Sequence, residues 1–391
     1  MPRAEVAAYL GNVDTKDWAR LLPLVLATMA SQALLVVLTP TIVAVAADLG
    51  ASVGAIGQAR SVTAVVAIVA SAAIAGRIDG LGVARLLRIG AVLAVLACAA
   101  VAATPSLAAF LLAHVLVGLA LACLLSAGFA GTAGFAPRRR AWAIGWVAGA
   151  NALAWIVVTP VAGEVADRLT WRATEAIPAA FAVAALVASR AAASPRTTAA
   201  TAPVRTLVAD PSARRWIAAE LAAYGAWAAL LTFIGAFFVQ KLGVAQDVVG
   251  WLLASGAAAF FLAATRGGGL VSALPRRPLI TAASLLMAFL FVVELGASRS
   301  IAFGVGAFCL LGLAAGVRTP ASSALGLAQL PDHPGAMMAA RTAANQIGYL
   351  LGAVVGGAVI TAAGYGAFGV VLAVGMAVSA FLMLRVNDPA S

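Results

Sequence analysis

Twelve apolar runs follow one another along the chain, and short polar or charged gaps separate them. A helix that crosses a bilayer needs about 20 mostly apolar residues, and open strands cannot satisfy their backbone hydrogen bonds in lipid. The pattern therefore predicts an all-α integral membrane protein with twelve transmembrane helices at roughly 21–47, 54–76, 86–103, 106–130, 141–163, 173–189, 216–240, 247–265, 278–297, 300–317, 337–362 and 365–384.

Composition supports this interpretation and excludes most other classes of protein. The chain has 391 residues, of which 63% are hydrophobic and 10% charged, whereas soluble domains are about 45–50% apolar and about 25% charged. Such a chain cannot cover itself with polar surface, which excludes soluble enzymes, secreted disulfide scaffolds and disordered proteins. The net charge of +11 would suggest nucleic-acid binding in a soluble protein, but here the basic residues lie between apolar runs. We expect a lipid bilayer as partner and no nucleic acid.

The distribution of basic residues predicts the orientation. If the N-terminus is inside, the gaps on the outer side hold only Arg168, Arg172, Lys241 and Arg299, and nearly all other basic residues lie on the inner side. An excess of arginine and lysine marks the cytoplasmic side of membrane proteins. The sequence predicts a multi-pass protein of the cell membrane with both termini cytoplasmic. Residues 1–20 have no apolar core of a cleavable signal peptide, so the first span is expected to stay attached.

The chain divides into two similar halves. Segment 190–215 is rich in Ala, Thr, Pro and Arg and resembles a cytoplasmic linker between an N-terminal bundle, 1–189, and a C-terminal bundle, 216–391. At an offset of 193 to 194 residues, segments 48–57, 116–120 and 151–155 resemble segments 241–250, 310–314 and 345–349. This repeat predicts two pseudo-symmetric six-helix bundles around a central cavity.

Short motifs identify a family. The loop AGRIDGLGVARLL, 75–87, resembles the Gly-x-x-x-Asp-x-x-Gly loop of the major facilitator superfamily through Asp79 and Gly82, with Arg85 as the following basic residue. Ala75 stands at the first glycine of that pattern. The resemblance implies that Asp79, Gly82 and Arg85 form a conformational latch between the halves. A solvated helix cap is the alternative for Asp79.

Two further motifs bear on coupling and direction. In the fourth span, His114 stands where the family has an arginine associated with proton coupling, and Gly118 is retained. In the fifth span, Pro160 and Gly163 match the Gly-Pro-x-x-Gly motif of exporters. The resemblance to the drug and small-molecule proton antiporters implies efflux. A histidine hydrogen-bonded in the packing and an ordinary proline kink are the alternatives.

Helical spacing places polar and aromatic residues on shared faces. Glu220, Tyr224 and Trp227 lie on one face of the seventh span, and Arg341, Asn345 and Tyr349 on one face of the eleventh. The predicted substrate cavity comprises Gln32, Arg60, His114, Asn151, Trp155, Tyr224, Trp227, Asn345 and Tyr349. Simple helix packing of the aromatic residues is the alternative.

Glu220 is the acid that the sequence places well inside a span, with Arg318 and Arg341 at a similar depth. Intramembrane ionisable residues are commonly functional. Together with His114, these three residues are the candidates for proton coupling or a gate. A permanent interhelical ion pair is the alternative for Glu220.

The sequence thus predicts a secondary active transporter, not an enzyme, which exports a small organic molecule or drug by proton-coupled alternating access. The absence of a Gly-x-x-x-x-Gly-Lys-Ser/Thr motif argues against nucleotide-driven transport. A sugar or amino-acid exporter, a proton-linked importer, and a sensor or scaffold without transport are the alternatives. The expected partners are a small-molecule substrate and protons. We expect a monomer and no cofactor. We also expect no metal, because Cys98, Cys123 and Cys309 lie in apolar runs as packing residues.

Overall fold

The computed structural model describes residues 14–51, 53–75, 77–192, 207, 209–244, 246–267 and 273–388. Within these residues, twelve helices are long and apolar enough to cross a membrane, as predicted, and no strand occurs. In chain order, they are α1 (Thr15–Ile42), α2 (Ala55–Ala75), α3 (Val83–Ala102), α4 (Leu107–Gly134), α5 (Pro137–Arg168), α6 (Trp171–Ala191), α7 (Pro211–Leu242), α8 (Val248–Arg266), α9 (Arg276–Ala297), α10 (Ile301–Gln329), α11 (Pro334–Ile360) and α12 (Ala362–Met383).

The helices extend beyond the predicted apolar runs. Helix α10 continues to Gln329, although its apolar run was expected to end near residue 317. Helix α7 begins at Pro211, inside the predicted linker, because the side chain of Asp210 caps it by accepting a hydrogen bond from the Ala213 amide at 2.7 Å. Hydropathy marks the part of a helix that lies in lipid, whereas capping residues decide where the helix starts.

The twelve passes form two six-helix halves, α1–α6 and α7–α12. Because the number of passes is even, α1 starts and α12 ends on the same side of the molecule. We call this side the terminal face and the other side the opposite face. The loops between α2 and α3, α4 and α5, α8 and α9, and α10 and α11 lie on the terminal face.

Glycines allow helices within each half to approach closely. A Cβ atom built on Gly118 of α4 would lie 2.7 Å from the Thr63 carbonyl oxygen in α2, and one built on Gly348 of α11 would lie 2.8 Å from the Gly225 nitrogen in α7. Such contacts exclude larger side chains, and they give membrane helices dense packing where no hydrophobic driving force exists between them.

The backbone conformation requires glycine at positions 82 and 364, among others. Gly82, with φ of 80°, separates the short helix Ile78–Leu81 from α3. Gly364, with φ of 77°, marks the kink between the long helical segments before and after it. In the predicted latch loop, Arg85 is exposed, and the side chain of Asp79 lies outside what the structure describes.

Candidate functional site

A cavity lies between the two halves and is lined by both. Its empty volume is about 1640 Å³, with the solvent at its mouth included. Eight of the predicted cavity residues line it, namely Gln32, Arg60, Asn151, Trp155, Tyr224, Trp227, Asn345 and Tyr349, and so do Glu220, Arg318 and Arg341. The structure therefore brings the polar faces predicted on α1, α2, α5, α7 and α11 to one place.

On the terminal side of this cavity, the two halves touch. Ser126 of α4 donates a hydrogen bond to Thr342 of α11 at 3.2 Å, and the rings of Trp146 in α5 and Phe261 in α8 lie 5.8 Å apart. A Cβ atom built on Gly145 of α5 would collide with the carbonyl oxygen of Ala264. These contacts close the space between the halves on the side of the terminal face.

The floor of the cavity is an ion cluster. Arg341 Nε donates to Glu220 Oε2 at 2.8 Å, and Arg318 Nη1 lies 3.0 Å from Glu220 Oε1. At about 1.5 Å of rise per residue, all three lie roughly 10–17 Å along their helices from the terminal face. Glu220 is 2% exposed and each arginine 6%. The predicted pair is thus a triad, in which one carboxylate binds two guanidinium groups.

Neighbouring side chains in the same half hold the triad in position. Ser322 Oγ donates to Glu220 Oε1 at 2.9 Å, and Trp216 Nε1 donates to Ser322 Oγ at 3.1 Å. Arg318 donates from Nε to Ser284 and from Nη2 to Ser379, each at 2.9 Å. Buried charges are tolerated when they are paired and hydrogen-bonded in this way.

Arg341 also touches the other half. Its guanidinium carbon lies 4.8 Å from the ring centroid of Phe129 in α4. A guanidinium over an aromatic face within about 6 Å is attracted to the ring electrostatically. One side chain therefore belongs to the ion cluster of the second half and to the contact between the halves.

Above the floor, aromatic side chains line the cavity. The rings of Trp227 in α7 and Phe260 in α8 are stacked with their centroids 6.4 Å apart, and Trp155, Tyr224 and Tyr349 line the same space. Asn345 is 3% exposed, and within the described residues its Oδ1 atom has no hydrogen-bond partner. Asn345 therefore offers an unpaired acceptor beside aromatic side chains.

On the side of the first half, the lining above the floor is polar. Arg60 of α2 donates from Nη2 to Thr39 Oγ1 at 2.7 Å, and Asn151 of α5 donates to the Ala148 carbonyl at 3.1 Å. Gln32 completes this wall. A second positive region thus lies near the opposite face.

The structure places other predicted residues elsewhere. His114 was expected in the cavity, but it is not among the lining residues. Its Nδ1 atom lies 2.8 Å from the Phe110 carbonyl oxygen, and Thr63 donates to the His114 carbonyl at 3.4 Å. Pro160 lies inside α5, and a Cβ atom on Gly163 would meet nothing within 4 Å. The close contacts between α5 and α8 are at Gly145 and Gly149.

Several lining residues were not anticipated from the sequence. Phe129, Phe260 and Phe308 line the cavity, but an apolar side chain in a membrane helix can equally face lipid or a neighbouring helix. Gln346 also lines it. Its adjacency to Asn345 was a usable signal, because two consecutive amides in an apolar span are rarely both turned to lipid.

A second buried acid was missed. Glu294 is 0% exposed in the π-helical turn Val293–Ala297 at the end of α9. Within the described residues, neither of its carboxylate oxygens has a hydrogen-bond partner. It lies near the opposite face and does not line the cavity, so Glu220 is not the only acid buried in the helices.

At the opposite face, the first half carries an exposed clasp. Asp48 accepts a hydrogen bond from Trp171 Nε1 at 3.1 Å and pairs with Arg172. Arg172 also donates to the Thr104 carbonyl at 3.0 Å. The hydrogen bond from Arg172 lowers the pKa of Asp48 below its usual value, and the bond from Trp171 adds to the effect.

Comparisons with known proteins agree with this architecture. Solved structures with the same fold include the human organic anion transporter MFSD10, at 15% identity, a TM-score of 0.75 and coverage of 95% of this chain and 100% of that one. The fucose transporter FucP of E. coli, in the outward conformation, has 17% identity, a TM-score of 0.73 and coverage of 94% and 98%. The proton:xylose symporter XylE has 13% identity, a TM-score of 0.76 and coverage of 95% and 96%.

Identities this low establish the fold alone, and no curated protein matches the sequence. The family model described as Major Facilitator Superfamily matches residues 24–234 and 216–391, which together span nearly the whole chain. On this match, and in agreement with the twelve helices and the cavity between the halves, the chain belongs to the major facilitator superfamily of transporters.

Proposed function

We propose that this protein exports a small organic molecule or drug by alternating access, driven by protons. The observation that carries the proposal is the cavity between the halves, closed on the terminal side by contacts such as Ser126 with Thr342 and floored by the ion triad. Rocking of the halves would exchange these contacts for new ones at the opposite face. The resemblance of Pro160 and Gly163 to the exporter motif supports the outward direction.

Proton coupling is assigned to Glu220. A proton on this carboxylate would remove the charge that Arg318 and Arg341 bind at 3.0 and 2.8 Å. Arg341 also stacks on Phe129 of the other half. Breaking these ion pairs would therefore alter the contact between the halves directly.

The test is transport in inverted membrane vesicles, with a panel of fluorescent and radiolabelled organic compounds and with or without a pH gradient. The Glu220→Gln variant keeps the size and an acceptor oxygen but cannot be ionised. We expect it to lose gradient-driven accumulation while it retains exchange of substrate across the membrane. Glu294→Gln is the matched control, because this glutamate is buried but lies outside the cavity. Unchanged coupling in Glu220→Gln would contradict the assignment.

A second candidate is a proton-linked sugar transporter. FucP and XylE are sugar symporters by name, and MFSD10 is an organic anion transporter by name. The amides of Gln32, Asn151 and Gln346 in the cavity wall could bind sugar hydroxyls. Concentrative uptake of sugars into right-side-out vesicles, with no export of aromatic compounds, would favour this candidate.

The same proposal includes the arrangement in the membrane. A monomeric transporter is part of the proposal, because two bundles of one chain are in principle sufficient for alternating access. Both termini are proposed to be cytoplasmic, which accessibility of single cysteines introduced at Thr15 and Arg168 to a membrane-impermeant thiol reagent would test in intact cells.

A further inference from the structure

We infer that the cavity selects an organic anion, bound by Arg341 at its charged end and by the aromatic middle of the cavity along its body. The inference rests on the proposed function, because it names the substrate class of the same cavity.

The charge of the residues that line the cavity favours an anion. Three arginines line the cavity, Arg60, Arg318 and Arg341, and among the residues that line it Glu220 is the one acid. Two positive charges are therefore in excess. Charge inside a membrane span is costly and requires a partner. An anionic substrate supplies this partner, whereas a neutral sugar leaves the excess unmatched and a cation increases it.

Arg341, unlike Arg318, has hydrogen-bond donors available for a substrate. Arg318 uses Nε, Nη1 and Nη2 for Ser284, Glu220 and Ser379. Arg341 uses Nε for Glu220 and one face for Phe129. Within the described part of the chain, its two terminal nitrogens make no hydrogen bond. A guanidinium edge of this kind suits a carboxylate, sulfonate or phosphonate group, which can accept two hydrogen bonds.

An unpaired acceptor lies one helical turn further along α11. Asn345 Oδ1 is buried without a partner among the described residues, and it follows Arg341 by four residues, or about 6 Å along the helix. A buried acceptor without a donor is unfavourable. A hydroxyl or N–H group at the end of the substrate away from its anionic group would satisfy it.

The aromatic middle completes the recognition. The stacked rings of Trp227 and Phe260, 6.4 Å apart, lie with Trp155 in the space above Arg341 and Asn345. An aromatic or otherwise flat apolar body fits such walls. The substrate class is thus an amphiphilic aromatic anion with a hydrogen-bond donor distal to its charge.

The test uses four probes of one shape: 6-hydroxy-2-naphthoate, 2-naphthoate, 2-naphthamide and 2-naphthylmethylamine. Binding to the full chain in lipid nanodiscs is measured by quenching of tryptophan fluorescence and confirmed by equilibrium dialysis. We expect 6-hydroxy-2-naphthoate to bind at least tenfold more tightly than 2-naphthamide, and 2-naphthylmethylamine to bind most weakly. The hydroxyl group is expected to improve binding over 2-naphthoate by roughly threefold to tenfold.

Two variants locate the recognition. Arg341→Gln should reduce the preference for anion over amide at least tenfold, and Arg341→Lys should restore part of it because the charge returns without the planar edge. Asn345→Leu should abolish the advantage of the hydroxyl group but keep the preference for the anion. Circular dichroism and size-exclusion chromatography establish that each variant is folded.

The outcomes separate the inference from the proposed function. Equal binding of anion and amide, preference for the amine, or no binding of any probe would overturn the inference. A preference for the anion that persists in Arg341→Gln would overturn the assignment to this residue. Selective anion binding with no transport of any probe in liposomes, under any gradient, would support the inference and contradict the proposed transport.

Discussion

The two halves share one fold but divide the chemistry of the cavity unequally. The second half supplies the ion triad of Glu220, Arg318 and Arg341, together with the serines that hold it. The first half supplies amides, Trp155 and Arg60, and Arg60 donates a hydrogen bond to Thr39 of the same half. A repeat of one bundle thus preserves packing while it allows each copy a different polar surface.

The difference indicates a division of tasks. Because the triad is bonded within the second half, it can move with that half as a unit. Its connection to the first half runs through the aromatic ring of Phe129 and the hydroxyl pair of Ser126 and Thr342. Contacts of this kind cost little to break, as the proposed alternating access requires.

The largest effect is expected when the ion triad of the second half is broken. Replacing Glu220 by Ala leaves two buried arginines without their carboxylate, and removal of one partner from a buried ion network costs about 3–5 kcal/mol. We expect a large loss of thermal stability in detergent, measured by light scattering and tryptophan fluorescence. Asn151→Ala in the first half should cost about 1 kcal/mol or less. Similar losses for both variants would show that the halves do not differ in this respect.

The next effect concerns the contact between the halves. A valine at Gly145 would collide with Ala264, and overpacking costs about 1–3 kcal/mol. We expect the ratio of molecules closed at the terminal face to molecules open there to fall by roughly 5–150-fold. Disulfide formation between Ser126→Cys and Thr342→Cys reports this ratio.

Gly163→Val is the matched control, since an added Cβ atom there meets nothing within 4 Å. Equal crosslinking in the Gly145→Val and Gly163→Val backgrounds would contradict the assignment of closure to this contact.

A smaller effect compares the two buried glutamates of the second half. Glu220 has three donors, whereas neither carboxylate oxygen of Glu294 has a partner among the described residues. Leaving buried polar groups unsatisfied costs about 1–3 kcal/mol. We therefore expect Glu294→Leu to stabilise the protein by about that amount in thermal unfolding. A destabilised Glu294→Leu variant would indicate that the carboxyl group is needed where it lies.

The smallest effect belongs to the exposed clasp of the first half. The pKa of Asp48 is lowered by the hydrogen bond from Arg172, so the contribution of the clasp to stability is present at neutral pH and is lost as pH falls through this lowered value. We expect Asp48→Asn to be slightly less stable than the parent protein at pH 7, and the difference to shrink as pH falls below the usual pKa range of an aspartate. The measurement is thermal unfolding across this range, with Glu164→Gln as a control at an exposed pair on the same face. A constant difference at all pH values would exclude titration of Asp48 as its cause.

The sequence predicted the number of spans because lipid allows no alternative to long apolar helices. It also predicted Tyr224, Asn345 and Tyr349 in the cavity, because polar and amphipathic side chains in a span avoid lipid. The same reasoning misplaced His114, whose polar requirement is met by a backbone carbonyl of its own helix. Phe129 and Phe260 could not be assigned, since an apolar side chain suits lipid, packing and cavity equally.

Gly163 shows a related limit. A glycine permits close approach but does not determine which partner arrives, and in this conformation the second half meets α5 at Gly145 and Gly149 instead. Only the arrangement of the halves decides this, and the arrangement depends on contacts distant in the chain.

The crossing of α7 and α11 has a consequence for how this protein can change. Glu220 and Arg341 sit on two helices whose backbones meet at Gly225 and Gly348. The spacing of their opposite charges is therefore set by a junction that has no side chains. A single methyl group added at Gly348 would push the two helices apart. It would thereby change the distance between Glu220 and Arg341 without touching either residue. Altered selectivity can thus arise at positions that no transported molecule touches.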